Sequence, residues 1–132
     1  MSTELLIEEN TEDTTVVARV VSEPIKQVWA ALLSPAGQAA LLGPGAILGD
    51  KGDKWQAEDG SWGVTRSYHP MEEVRFSWRE SEDAPRTWVD LKFEKLDDNS
   101  TRVEIVHDHS GVELDADKLT AHWKGALAAL AE

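Results

Sequence analysis

In the second half of the chain, apolar and polar residues alternate with a period of two. Val74, Phe76 and Trp78 share one face of their run, as do Val89, Leu91 and Phe93, and then Val103, Ile105 and His107. The positions between them, Arg75, Ser77, Arg79, Asp90, Lys92, Glu94, Glu104 and Asp108, are polar. This alternation predicts antiparallel strands with one dry face and one wet face. Turn signals fall at Gly49-Asp50-Lys51-Gly52, Asp59-Gly60, His69-Pro70, Glu82-Asp83-Ala84-Pro85 and Asp97-Asp98-Asn99. Between them lie strand-like runs near residues 46–49, 53–58, 62–69, 73–80, 87–96 and 101–109. Thr14 to Val21, rich in Thr and Val, predicts a further strand. Residues 1–12, polar and acidic apart from Leu5, Leu6 and Ile7, predict a frayed start or a short edge strand.

The period shifts to that of a helix in two places. Ile25, Val28, Trp29 and Leu32 follow at helical spacing, with Ser22 as a candidate cap and Pro24 suited to the first turn. Pro35 ends this helix, because the residue before a proline avoids the α region. Ser34 and Pro35 then open a second short helix over 35–42, stopped by Gly43-Pro44-Gly45. At the C-terminus Asp115 is a cap candidate with Asp117 in the first turn. Leu119, Trp123, Ala126, Leu127 and Leu130 form one apolar stripe, which predicts a helix lying across the sheet.

Composition narrows the function classes. The 132 residues fit one domain, 1–132, and 41% hydrophobic residues suffice for a core. There is no cysteine, which removes disulfides and thiol chemistry. The formal net charge of -12 opposes nucleic acid and anionic membrane as partners. No apolar run reaches the ~20 residues of a membrane span, and the acidic start lacks a signal pattern, so a cytoplasmic location is the expectation.

Four stretches carry a family resemblance. They are Pro24 to Trp29 with Ala30-Ala31-Leu32 and Ser34-Pro35; Gly52-Asp53-Lys54-Trp55 with Asp59-Gly60 and Gly63; Pro70-Met71-Glu72-Glu73-Val74-Arg75-Phe76-Ser77-Trp78; and Thr101-Arg102-Val103 through His107, followed by Trp123, Leu127 and Leu130. With the element order, they resemble the START and birch-pollen-allergen superfamily, often called SRPBCC, and within it the branch similar to the activator of the heat-shock-protein-90 ATPase. The resemblance spans roughly residues 14–130 and implies an α+β helix-grip fold. In that fold a curved antiparallel sheet wraps around a long C-terminal helix, two short helices follow the first strand, and a cavity lies between sheet and long helix. This chain departs from many relatives in carrying His122 where they have glycine before the helix tryptophan, and Arg66 where they have an aliphatic residue.

That cavity organises the candidate chemistry. Six tryptophans serve core filling or an aromatic-lined pocket. Trp55, Trp78 and Trp123 fall where core and cavity wall coincide, together with Leu91. Trp88 has the parity of the polar positions and marks a possible contact surface. His107 is the polar interruption on the apolar faces; it reads as a core residue with a hydrogen-bond partner or as a group that orients a ligand. His107 and His109 share a side of one strand, but no third ligand with metal spacing accompanies them, so no metal and no cofactor is expected. Arg66 has the parity of Val64 and Tyr68. On a concave face it would favour an anionic or carbonyl ligand; a bulge would turn it to solvent. The candidate ligand contacts are therefore Trp55, Arg66, Tyr68, Trp78, Leu91, His107 and Trp123, with no catalytic residue assigned. The expected function is non-catalytic binding of a small apolar or amphipathic molecule, neutral or weakly anionic. One alternative is a cyclase, aromatase or hydratase in which His107 is acid or base, helped by Arg66 or Tyr68. Another is a co-chaperone-like module that meets a protein partner through its acidic outer face or Trp88.

Overall fold

The computed structural model describes residues 6–11, 13–112 and 115–130. Seven strands and three helices follow in the order β1 (Leu6–Asn10), β2 (Thr14–Val21), α1 (Ile25–Leu33), α2 (Pro35–Leu42), β3 (Lys54–Gln56), β4 (Trp62–His69), β5 (Glu73–Trp78), β6 (Thr87–Asp97), β7 (Ser100–Asp108) and α3 (Ala116–Leu130). The strands form one sheet in the order β1-β2-β7-β6-β5-β4-β3, each pair antiparallel. This is the α+β helix-grip architecture. Residues 6–10 form the edge strand; the reading of residues 1–5 lies outside the described residues.

The register lines up the apolar positions in rows across the concave face. One row runs Thr65, Phe76, Val89, His107 and Thr15; the next runs Tyr68, Val74, Leu91, Ile105 and Val17. Val17, Val74, Phe76, Val89, Leu91 and Ile105 are fully buried. The helices cover this face, with α3 packed most closely on α2 and β2. Leu119, Trp123, Ala126, Leu127 and Leu130 are all buried, so the stripe faces the core along the whole of α3.

Local signals explain the helix ends. The Ser34 side chain accepts a hydrogen bond from Gly37 N at 3.1 Å and caps α2, with Pro35 in the first turn. Asp115 Oδ1 accepts from the backbone N–H of Asp117 and Lys118 and caps α3. Ser22 does not cap α1. Pro24 stands at that position in extended geometry and offers no side-chain bond, so the first turn of α1 rests on backbone alone.

Residues 46–49 do not form the expected strand. The Gln38 side chain of α2 accepts from Leu48 N at 3.1 Å, and this bond ties the segment to the helix layer instead of the sheet edge. Ala46 and Leu48 still reach the core.

The β4–β5 pairing is irregular. Ser77 Oγ accepts from Val64 N at 2.9 Å where a backbone carbonyl would serve in a regular ladder. A bulge then separates Thr65 from Ser67. Gly63 makes this close approach feasible, since a Cβ there would run into the Ser77 carbonyl. Gly63→Ala is expected to destabilise the domain by roughly 2–3 kcal/mol, as for other overpacked sites. A chemical denaturation midpoint equal to that of the parent would refute this account of the edge.

Candidate functional site

Three aromatic side chains meet at one end of the sheet–helix interface. Trp78 is the last residue of β5 and pairs with Thr87, the first of β6. His107 lies on β7 opposite Val89, and α3 brings Trp123 down onto it. The His107 ring stands edge-on between two indoles, 5.1 Å from Trp78 and 5.6 Å from Trp123 between ring centres. Both His107 and Trp123 are fully buried.

Hydrogen-bond chemistry fixes the His107 tautomer. An indole N–H can only donate, and Trp123 Nε1 lies 3.3 Å from His107 Nδ1, so Nδ1 is the lone-pair nitrogen. The proton therefore sits on Nε2, which donates to Thr87 Oγ1 at 2.7 Å. Thr87 passes its own hydrogen to the Trp78 carbonyl at 2.8 Å. The chain from Trp123 through His107 and Thr87 to Trp78 leaves neither ring nitrogen unused. Burial pushes the His107 pKa down to about 3, assisted by His109 and His122 and opposed by Asp108. A neutral imidazole with both nitrogens engaged holds sheet and helix together; its lone pair is not presented to a substrate.

The other candidates divide by row. Trp55 is buried edge-to-face on Phe76, 6.0 Å between centres. Its Nε1 and the Thr65 hydroxyl are buried without a hydrogen-bond partner among the described residues. Tyr68 lies one row further along and packs on Trp29 of α1 at 5.7 Å; burial raises its pKa, and Asp50 adds to this. Leu91 is a fully buried core residue. His109 sits beside His107, with Nε2 3.2 Å from Thr15 Oγ1. No group of three potential ligands that could hold a metal ion occurs among the described residues.

Arg66 follows the second of its two alternatives, the bulge that turns it to solvent. The bulge between Thr65 and Ser67 breaks its parity with Tyr68. Thr65 and Tyr68 face inward, whereas Arg66 is exposed on the convex face with its guanidinium over Trp88. It is no part of the interior.

A cleft opens at the mouth of the sheet–helix gap. It measures about 380 Å³ and lies between the β4–β5 edge and the start of α3. Trp78 and Leu119 supply its apolar wall, Asp59, Ser61 and Glu80 line the sheet side, and Asp115, Lys118 and His122 line the helix side. Trp78 is the one sequence-derived candidate that reaches it. His122 Nε2 donates to the Leu41 carbonyl at 2.8 Å, which holds its ring against Trp123 beside the opening. Asp59 Oδ1 accepts from the backbone and hydroxyl of Ser61. The departure from glycine at His122 was a visible signal for this wall. Asp59, Ser61 and Glu80 sit in turns, where sequence spacing gives no hint that α3 lies opposite. A larger concavity, about 600 Å³, occurs on the sheet around Phe93, but its other lining residues are charged or polar, Glu72, Lys92 and Arg102 among them. Phe93 is its single apolar lining side chain, so it lacks the two-residue apolar wall of the cleft.

No helix among the described residues is long and apolar enough to cross a membrane. A comparison with curated proteins returns no match. Solved structures supply likenesses of fold. CalU16 from Micromonospora echinospora superposes with a TM-score of 0.72 at 20% identity, covering 97% of this chain and 82% of that one. Protein CV1439 from Chromobacterium violaceum gives 0.70 at 21% identity, covering 91% and 96%. The Aha1 dimer from Colwellia psychrerythraea gives 0.70 at 16% identity, covering 89% and 92%. The family model described as Activator of Hsp90 ATPase homolog 1-like protein matches residues 22–132, from the turn before α1 through α3. With that match over most of its length, the chain belongs to the Activator of Hsp90 ATPase homolog 1-like family, a branch of the SRPBCC superfamily.

Proposed function

We propose that this domain binds a small amphipathic molecule without transforming it, in the cleft between the β4–β5 edge and the start of α3. The observation that carries this reading is a cleft of about 380 Å³ with Trp78 and Leu119 on one side and a polar rim on the other. The engagement of both His107 nitrogens supports binding over acid–base catalysis, since a general base needs a free lone pair within reach of its substrate. Asp59, Glu80 and Asp115 outnumber Lys118 on the rim, which favours a ligand with a donor-rich or cationic end. This shifts the expected ligand away from the weakly anionic class.

Indole emission provides the test. A panel of amphipathic amines, flavonoids and fatty acids is titrated against the protein. The amines are expected to shift the emission and to bind most tightly. Trp78→Ala, which removes the apolar wall, is expected to weaken the best binder by about tenfold, equivalent to ~1.4 kcal/mol. A panel that leaves emission unchanged, or a best binder indifferent to Trp78→Ala, would overturn the proposal.

A further inference from the structure

The convex face of the sheet holds a cluster that takes no part in the cleft. Arg66 of β4, Arg75 of β5 and Arg86 just before β6 place their guanidinium carbons 5.5, 5.2 and 4.8 Å from the ring centre of Trp88. Beside them, Lys54 and Arg79 stand 4.7 and 5.0 Å from the ring centre of Trp62. Five of the chain's 13 basic residues thus gather around two indoles, on a chain of net charge -12.

Stacking on tryptophan holds a guanidinium in place while its N–H edges stay available. Arg75 has a carboxylate near it, Asp90 at 3.7 Å, and Arg79 donates to the Ala84 carbonyl at 2.9 Å. Among the described residues, Lys54, Arg66 and Arg86 have no carboxylate at salt-bridge distance. Like charges so collected repel one another, and an anion laid among them relieves that repulsion.

The shape of the face selects among anions. Two depressions of about 360 and 150 Å³ adjoin and share Arg66 and Trp88. The cluster spans β3 to β6, three inter-strand spacings or ~14 Å. An extended polypeptide at ~3.3 Å per residue crosses that width in four or five residues. A long polyanion would run beyond the cluster into the field of the remaining acidic surface. A short acidic segment stays within about one Debye length, ~8 Å at physiological salt, of the basic residues.

We propose that the convex face of β3–β6 docks an acidic segment of a partner protein, its carboxylates paired with Arg66, Arg75 and Arg86 and its apolar side chains laid on Trp88 and Trp62. This surface is separate from the cleft, and the proposal stands whether or not the cleft binds a ligand.

Fluorescence anisotropy tests it with three dye-labelled probes. One is a ten-residue peptide of glutamates with a central phenylalanine, the second replaces each glutamate by glutamine, and the third is a ten-nucleotide oligothymidylate. The glutamate peptide is expected to bind with a Kd on the order of 10 μM at low salt, and the glutamine peptide not to bind. The double variant R66Q/R86Q is expected to weaken binding by at least about tenfold, since each carboxylate loses a charge-assisted partner. Both side chains are exposed, so the melting temperature of the variant should match the parent. Four results would overturn the proposal: no binding of the glutamate peptide, equal binding by the folded variant, tighter binding of the oligothymidylate, or a dimer in sedimentation velocity that the variant dissociates.

Discussion

Replacement of Trp123 by Ala is expected to cost about 3–5 kcal/mol, the range for removing a large buried aromatic. The side chain is fully buried, and it closes the concave face where α3 meets β7. A second penalty adds to the cavity. Among the described residues, His107 Nδ1 then has no donor and becomes a buried acceptor without a partner. The melting temperature should fall by more than about 10 °C for a domain of this size. Trp123→Phe separates the two effects. It restores most of the volume without the N–H, so it should fall between the parent and Trp123→Ala. A Trp123→Ala protein that melts within a degree or two of the parent would remove this residue from the core.

Stability should also decline as the pH falls below about 6.5, with His107 as a main cause. The folded pKa is about 3, whereas the unfolded chain titrates near the ordinary value of 6.5. Above pH 6.5 both forms are neutral and the group contributes no slope. Between 6.5 and 3 the unfolded chain binds a proton that the folded domain refuses, so stability falls by ~1.4 kcal/mol per pH unit. Across the whole window the loss is on the order of 5 kcal/mol. Asp97 and Asp108 complicate the acid end. Backbone and side-chain hydrogen bonds from Asn99 and Ser100, and from Ser110, hold their carboxyls below the usual range, so their stabilisation also disappears in acid. The discriminating interval is therefore pH 6.5 to 5, where those carboxylates stay ionised. His107→Gln should flatten the slope there by about 2 kcal/mol in total relative to the parent. Equal slopes for the two proteins would show that His107 is not the buried neutral group described above.

Both effects act through one contact, Trp123 of α3 on His107 of β7. The stripe of α3 is legible because helical spacing and burial share a period, and all five stripe residues face the core. The three alternating strands are legible for the same reason at a period of two. The break between α1 and α2 follows from Ser34 and Pro35, whose effects are local. The site is not local. The His107 tautomer is set by an indole N–H that arrives from α3, and its second bond is to Thr87 on the neighbouring strand. Parity could place His107 on the apolar face, but only packing could occupy both of its nitrogens.

Arg66 marks the same boundary from the other side. It lines the convex face together with Val64, but its parity with Tyr68 holds only for a regular strand. A bulge cancels it, beside a stretch where Ser77 Oγ substitutes for a backbone acceptor, and a strand's own sequence does not record the pairing of its neighbour. The sequence by itself determined the alternating strands β5, β6 and β7, the paired short helices, the covering helix and the outward parity of Trp88, because each depends on residues close in the chain. Tertiary structure alone decided that Trp78, His107 and Trp123 pack on one another, that the open space lies at the mouth beside Leu119 and His122, and that Arg66, Arg75 and Arg86 converge on Trp88. Each of these needs residues from separate strands or from a strand and a helix, and their meeting is fixed by sheet register and packing, which no single segment encodes.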